Sequence, residues 1–567
     1  MEILRSVLRE LPEFQQLLAA LDSGQSPAAV SGLAAVHRAH FAACLGQESG
    51  RPVVVVCADE GEAERMARDL SFLTGGEVPV LAARSFLFHN IATVSRQWEH
   101  RRLRLLYRLT RGEVPCLVAT VEALLQRTLP PEALERACAA LAVGQTADLE
   151  ELTAHLTEAG YVRCEQVEGP GQFALRGGIL DVYSPAMEAP VRAEFFGDEV
   201  DALGIFDPVT QRRTANVEQA VLLPAAETLP HLAPRGLAGL LKQLDQRSAA
   251  AVRDGLEELA ATLRQDQEAL EEGRSFPAAD RYLPLIYPEL ATAADYLPYD
   301  ACVLFSESSR VGERAKTWQW QLEEDVKTLL ERGELDGACG ALSRSYDQLC
   351  RRLEDFPFAY LDSFALSAYP AAPRCVLSLM AKQLPSFGAS LETAVQDLSH
   401  YQSAGFSVLV LVSSEQRALN LQTLLREQKV KAGVDFALKA LPRPGQIFLT
   451  VGGLSGGMEY PGLKLAVITE GQSGGVRKRP RPVKKEATNR QKLKSYADLS
   501  PGDLVVHEHH GVGRYVGMVK MPADGIEKDY VKIAYAGTDV LYVPATQLDL
   551  VSKYIGGGED AQEMKKL

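Results

Sequence analysis

Three histidines and a glutamate crowd the stretch VVHEHHGVGRYVG, Val505 to Gly517. Such a density raises metal chemistry first. In a helix, H-E-x-x-H sets two imidazoles on one face for zinc, with the glutamate as base. Here the position of the second histidine is Gly511, and HEHHGVG does not read as a helix. On a strand His507 and His509 share a face, but no third ligand type stands near at a usual spacing. No metal site is expected.

Phosphate chemistry is the next candidate, because strand-then-helix segments recur in the chain. A P-loop needs glycines for a cradle of backbone amides, a lysine for the β/γ-phosphates and a Ser/Thr for magnesium. The one place before a helix that could host it is VSGLAAVHRAHFAACL, Val30 to Leu45, where Ser31-Gly32 keeps the turn. Ala, Val and His fill the lysine and hydroxyl positions. LAVITEG (465–471) holds one acidic residue, Glu470, where an acidic box would hold a pair. The sheet is expected to be a scaffold without a catalytic ATP site, so no enzyme activity, cofactor or metal is expected of this chain.

Charge is the third signal. The 567 residues carry a net charge of −14, which speaks against coating nucleic acid by bulk attraction. Against that background, RKRPRPVKKEATNRQKLK (477–494) sets nine Lys or Arg against one Glu. Two readings stand for Arg477, Lys478, Arg479, Arg481, Lys484 and Lys485: a solvated linker, or a tether that contacts nucleic-acid phosphates. Arg101, Arg104 and Arg108 fall on one helical stripe, either a solvated face or a second DNA contact.

The elements around these residues define the fold class. PVVVVCADEGEAERMARDLSFL and SVLVLVSSEQRALNLQTLLREQ each read as a buried strand, a capping turn and an amphipathic helix, the signature of parallel α/β sheets. Residues 171–213 alternate in short strands broken by Gly, Pro and Asp, an antiparallel module. Residues 231–295 are helical in pattern, and 499–555 holds four short strands that suit a small barrel. Length calls for several domains. Nine scattered cysteines without a C-x-x-C pair read as reduced thiols. No apolar run approaches the ~18 residues of a membrane span, and a cytoplasmic monomer is expected.

ALRGGILDVYSP…VRAEFFGDEVDALGIFDPVTQR, SFLFHNIATVSRQWEHRRLRLL, and DLVVHEHHGVGRYVG…DYVKIAYAGTDVLYVPATQLDLVSKYIG together resemble the bacterial transcription-repair coupling factors. The likeness runs in order over essentially the whole chain. It implies an α/β multidomain protein with degenerate helicase-like parallel sheets, an inserted antiparallel β-rich module and a C-terminal Tudor-like β-barrel. The implied divisions are a degenerate UvrB-like α/β domain (1–137, continued at 225–365) interrupted by a UvrA-binding module (138–224). A degenerate α/β domain (372–473), a basic linker (474–498), a CarD-like RNA polymerase-interacting barrel (499–556) and the start of a linker helix (557–567) follow. The family's ATP- and magnesium-dependent DNA motor is expected beyond this portion.

The resemblance also implies site residues. Arg176, Arg192 and Phe196 are the UvrA-binding positions. Arg192, Glu194 and Phe196 share one strand face, and Phe195 points into the core. Tyr515, Val519 and Met521, on the strand Gly513 to Met521, are expected to contact the RNA polymerase β subunit by strand addition. The histidines become a structural corner, with a tight turn at Gly511 and Gly513. The function implied is an adaptor of transcription-coupled nucleotide-excision repair, with DNA a partner of the full-length protein. Two alternatives remain open: a DNA translocase in its own right, and a stand-alone CarD-type regulator.

Overall fold

The structure is a computed structural model. It describes residues 2–88, 96–273, 276–387, 391–438, 440–471, 490–492, 499–507, 511–523, 526–535, 540–544 and 551–554. Five consecutive apolar residues, Val53–Cys57, form a strand buried along its whole length, which requires cover on both faces. Asp59 then caps the helix Glu60–Thr74 by accepting the Glu62 N–H at 2.8 Å. Repetition of this unit builds a seven-stranded sheet in the order Cys375–Ser378, Ala28–Ser31, Phe358–Leu361, Cys302–Ser306, Val53–Cys57, Cys116–Thr120, Val80–Leu81. Every pairing in it is parallel.

A second sheet repeats the logic. Ser407–Val412 leads to Ser414, whose hydroxyl accepts the Arg417 N–H at the start of the helix Glu415–Glu427. Its order is Lys382–Leu384, Gly457–Tyr460, Leu465–Thr469, Ser407–Val412, Ile447–Val451, Ala432–Val434; the last four run parallel, the first two antiparallel to their neighbours. The helices Ala35–Ser49 and Glu60–Thr74 lie between the two sheets. Val36 and Leu70 share one core with Val53 and Val55 of the first sheet and with Leu409, Leu411 and Val467 of the second.

Polar groups are trapped in that junction. His40 is fully buried; its Nε2 donates to the Leu4 carbonyl at 2.7 Å, so its Nδ1 accepts from the Tyr460 hydroxyl at 2.9 Å. Burial lowers the His40 pKa to about 4, and burial, helped by His40 and Arg38, lowers that of His37 to about 3. Across the junction Asp69 accepts the Ser455 N–H at 2.7 Å, and burial raises its pKa to about 6. The signs oppose. Below pH 6.5 the unfolded histidines take up protons that the folded ones refuse, so stability falls down to about pH 4. The Asp69 carboxyl gains its proton first in the folded state, which returns part of that loss between about pH 6 and 4. Thermal midpoints are expected to fall from pH 7 to pH 5, His40 alone contributing about 2 kcal/mol at pH 5. His40→Gln should flatten that fall, and an unchanged slope would exclude His40 as its source.

The C-terminal region forms a six-stranded antiparallel sheet in the order Arg490–Lys492, Val551–Tyr554, Leu504–His507, Gly511–Ala523, Ile526–Ala534, Val540–Pro544. Among the described residues its first and last strands do not pair. The end of the basic run, Arg490–Lys492, is a strand of this sheet. Arg477, Lys478, Arg479, Arg481, Lys484 and Lys485 lie outside the described residues. Among the described residues no helix is long and apolar enough to cross a membrane.

Candidate interaction surfaces

The turn that could have bound phosphate is filled by the chain itself. Gly32 and Leu33 spend their amides on the carbonyls of Ser363 (3.3 Å) and Asp362 (3.0 Å). Gly32 has φ +89°, and a Cβ there would stand 2.0 Å from the Leu379 carbonyl oxygen. Helix N-termini favour anions, but the first turn of Ala35–Ser49 carries the buried Arg38. Its guanidinium donates to the Leu33 carbonyl and to the Ser306 hydroxyl, both at 2.8 Å, and pairs with Glu307. These residues do not fit a nucleotide phosphate. In the second sheet Glu470 accepts the Ser413 N–H at 3.0 Å and pairs with Arg417; although burial works the other way, these partners hold its pKa below the ordinary value.

The expected antiparallel module is a six-stranded sheet in which the short strand Val162–Arg163 adds in parallel to Gln172–Arg176 and the other pairings are antiparallel. Its strands Gln172–Arg176, Ile179–Tyr183, Val191–Phe196, Glu199–Phe206 and Arg213–Asn216 pair in chain order, joined at their first pair by the turn Gly177-Gly178. Phe173, Leu180, Val182, Val191, Ala193 and Leu203 line its inner face, with Phe195 packed beside them. Alternation sends Arg192, Glu194 and Phe196 to the other face. There Phe196 is 84% exposed, an anomaly for a large ring in a well-formed sheet.

The two arginines behave differently from free anchors. Register sets Asp181 opposite Arg192, and the Asp181 carboxylate accepts Arg192 Nε at 2.7 Å and Nη2 at 2.8 Å. The same Oδ2 accepts Arg176 Nη2 at 2.7 Å. The Arg192 guanidinium also lies 4.6 Å from the Phe206 ring centroid, and its side chain is 19% exposed. Its hydrogen bond to Asp181 raises its pKa further. Arg192, one of the expected UvrA-binding positions, thus has its guanidinium fork taken by Asp181. Arg176, with its side chain 51% exposed, remains accessible.

Arg213 was not found by sequence reasoning. It crosses Gly204, where a Cβ would meet its Nε at 2.0 Å, and reaches Glu194 at 3.4 Å. The only signal for it was a glycine inside a strand, which marks a close approach. The helix Gln97–Thr110 also departs from the expected stripe. Arg104 donates to the carbonyls of Pro185 (2.8 Å) and Met187 (3.1 Å), so it joins the helix to the module. Arg101 lies 5.2 Å from the Trp98 ring centroid, and Arg108 is 3.9 Å from Glu113.

On the C-terminal sheet, the strand Gly511–Ala523 pairs with Ile526–Ala534 from Arg514 to Ala523 and with Leu504–His507 only over Gly511–Arg514. The Tyr515 amide and carbonyl bond Asp503 and Gly502. From Val516 onward one edge has no strand partner among the described residues. Two expectations are corrected here. Tyr515 is 4% exposed, in the core with Val531 and Ile533, so its ring does not face a partner. Gly511 and Gly513 pair with His507 and Val505 inside the strands, so they do not form the turn. His507 is buried, while His509 lies outside the described residues. Val519 is half-buried, opposite Tyr530; the backbone of Met521 pairs with Lys528.

Residues 139–227 match the model of the UvrB interaction domain, and residues 499–555 that of the CarD-like/TRCF RID domain. The whole chain aligns with the transcription-repair-coupling factor of Bacillus subtilis (strain 168) at 31% identity, covering 48% of that protein. With the factor of Staphylococcus haemolyticus (strain JCSC1435), 95% of the chain aligns at 28% identity, covering 46% of the relative. The chain thus spans about half the length of the relatives it matches. Two separate sheets match two interaction-domain models, and the chain is similar along its whole length to about half the length of the transcription-repair-coupling factors.

Proposed function

We propose that this chain is an adaptor of transcription-coupled nucleotide-excision repair. The sheet of 499–555 docks on RNA polymerase, and the module of 139–227 recruits UvrA. The observation that carries the reading is the coexistence, on one chain, of matches to a UvrB interaction domain and to a CarD-like/TRCF RID domain. Two physical features support it. Phe196 stands out from a face that carries guanidiniums, the residue types that dominate protein interfaces. The strand edge beyond Val516, without a strand partner among the described residues, offers main-chain donors and acceptors to a strand of the polymerase β subunit. ATP-driven DNA translocation, in this reading, belongs to residues other than the seven-stranded sheet, whose Gly32 turn is closed by Leu379 and Arg38.

The test is a crossover. Met521→Asp is expected to weaken polymerase capture by at least about tenfold and leave UvrA capture unchanged; Arg176→Ala is expected to do the reverse. Titrating the purified chain with each partner measures both. Variants that affect both partners equally, or neither, would end the two-surface reading.

A further inference from the structure

We infer that Asp181 is the positioning residue of the module's outer face, presenting Arg176 to an acidic group of the docked partner. The inference rests on the docking reading above and adds a residue and a mechanism to it.

Asp181 is fully buried in the strand Ile179–Tyr183, on the face opposite the module's core. A carboxylate in that position is costly unless its oxygens are filled, and here three guanidinium N–H groups fill them. Their distribution is unequal. Arg192 gives two donors to Asp181, stacks on Phe206 and approaches the Gln211 carbonyl and side-chain oxygen at 3.4 Å each. It is committed to its own chain. Arg176 gives one Nη2 and stays half-exposed. One carboxylate shared by two guanidiniums leaves this cluster with an excess positive charge, and the exposed part of it is on Arg176. Glu194 does not remove it, being paired with Arg213.

The pairing prepares Arg176 for a partner. A free arginine loses rotamer freedom when it is immobilised at an interface, which weakens binding. Tied through one nitrogen, Arg176 has already lost much of that freedom, while its other donors remain for an incoming carboxylate. Arg176 and Ile179 pair directly across the turn, and Ile179, opposite Glu194, adds a partly exposed apolar neighbour. The partner chemistry this fits is a carboxylate beside an apolar pocket that takes Phe196.

The experiment is a double-mutant cycle on the full chain, with UvrA as the probe at fixed ionic strength and thermal midpoints read in parallel. Asp181→Asn is expected to weaken UvrA binding about tenfold and to weaken it no further in an Arg176→Ala background. Equal losses in both backgrounds, or no loss in the first, would overturn the positioning role while leaving the docking reading intact. If wild type and Arg176→Ala bind alike, the docking reading fails and takes the inference with it. Should Asp181→Asn not fold, Asp181→Ser, smaller and uncharged, carries the same cycle.

Discussion

Replacing Asp280 by asparagine is expected to cost the N-terminal α/β unit about 3–5 kcal/mol, the largest loss predicted for any single exchange in this chain. Asp280 accepts both terminal nitrogens of Arg84 (2.6 and 2.8 Å), the Thr228 hydroxyl (2.5 Å) and the Leu87 N–H (2.7 Å). Burial alone would raise its pKa; Arg84 and these donors hold it below the ordinary value. Glu227 continues the cluster, taking Arg84 at 3.2 Å, Arg102 at 3.0 Å and the Thr128 hydroxyl at 2.6 Å, with its own N–H on Glu99. Segments around residues 84, 100, 128, 227 and 280 are thereby joined where the antiparallel module returns to the α/β unit. Asparagine leaves Arg84 and Arg102 to share Glu227 in a largely buried site, and removing one partner of a buried ion pair costs more than the pair contributed. Trp98, Trp318 and Trp320 all belong to this unit, so fluorescence reports it. The urea midpoint should fall with its slope unchanged. A loss under about 1 kcal/mol would mean that the cluster tolerates neutralisation.

What the sequence made legible was local. A buried apolar run followed by Asp59 or Ser414 and an amphipathic stretch is a complete instruction for a strand, a cap and a helix, and both structures follow it. Alternation along Val191–Phe196 likewise fixed which side chains face in and which face out. Partners distant in sequence were not legible. Asp181 sits in GGILDVY as an ordinary polar residue, and only the register between strands sets it against Arg192, eleven residues on. Arg104 looked like a member of a solvated stripe until the loop carrying Pro185 and Met187 came to rest on it. Arg38 carried no signal in the sequence, yet its guanidinium bonds the Leu33 carbonyl and the Ser306 hydroxyl beside the turn that the lost motif would have used.

Tyr515 shows a different failure. A period of two along GRYVGMVKM puts Tyr515, Gly517, Val519 and Met521 on one face. The pairing shifts between Tyr515 and Gly517: Tyr515 lies opposite Ile533, Gly517 opposite Lys532 and Met518 opposite Val531. This bulge exchanges the faces, so Tyr515 and Met518 both meet the core and Val519 falls on the other side. A bulge is set by how two strands pair, and one strand read alone does not reveal it.

Phe196→Ala carries the second large effect. On the reading that the module docks UvrA, the ring is the apolar anchor of that surface, and its loss should cost at least about 2 kcal/mol of binding, roughly thirtyfold in affinity. Stability should barely respond. A side chain 84% exposed holds nothing in place, so the unfolding free energy should stay within about 0.5 kcal/mol of wild type. Arg192→Ala is the instructive contrast. It strands Asp181 in a buried site with only Arg176 to compensate, so its cost should appear first in stability. Calorimetric titration of UvrA beside melting curves therefore separates anchor from scaffold: Phe196 should move affinity alone, and Arg192 should move both. If Phe196→Ala binds UvrA within threefold of wild type, the ring is not the anchor, and its exposure needs another occupant.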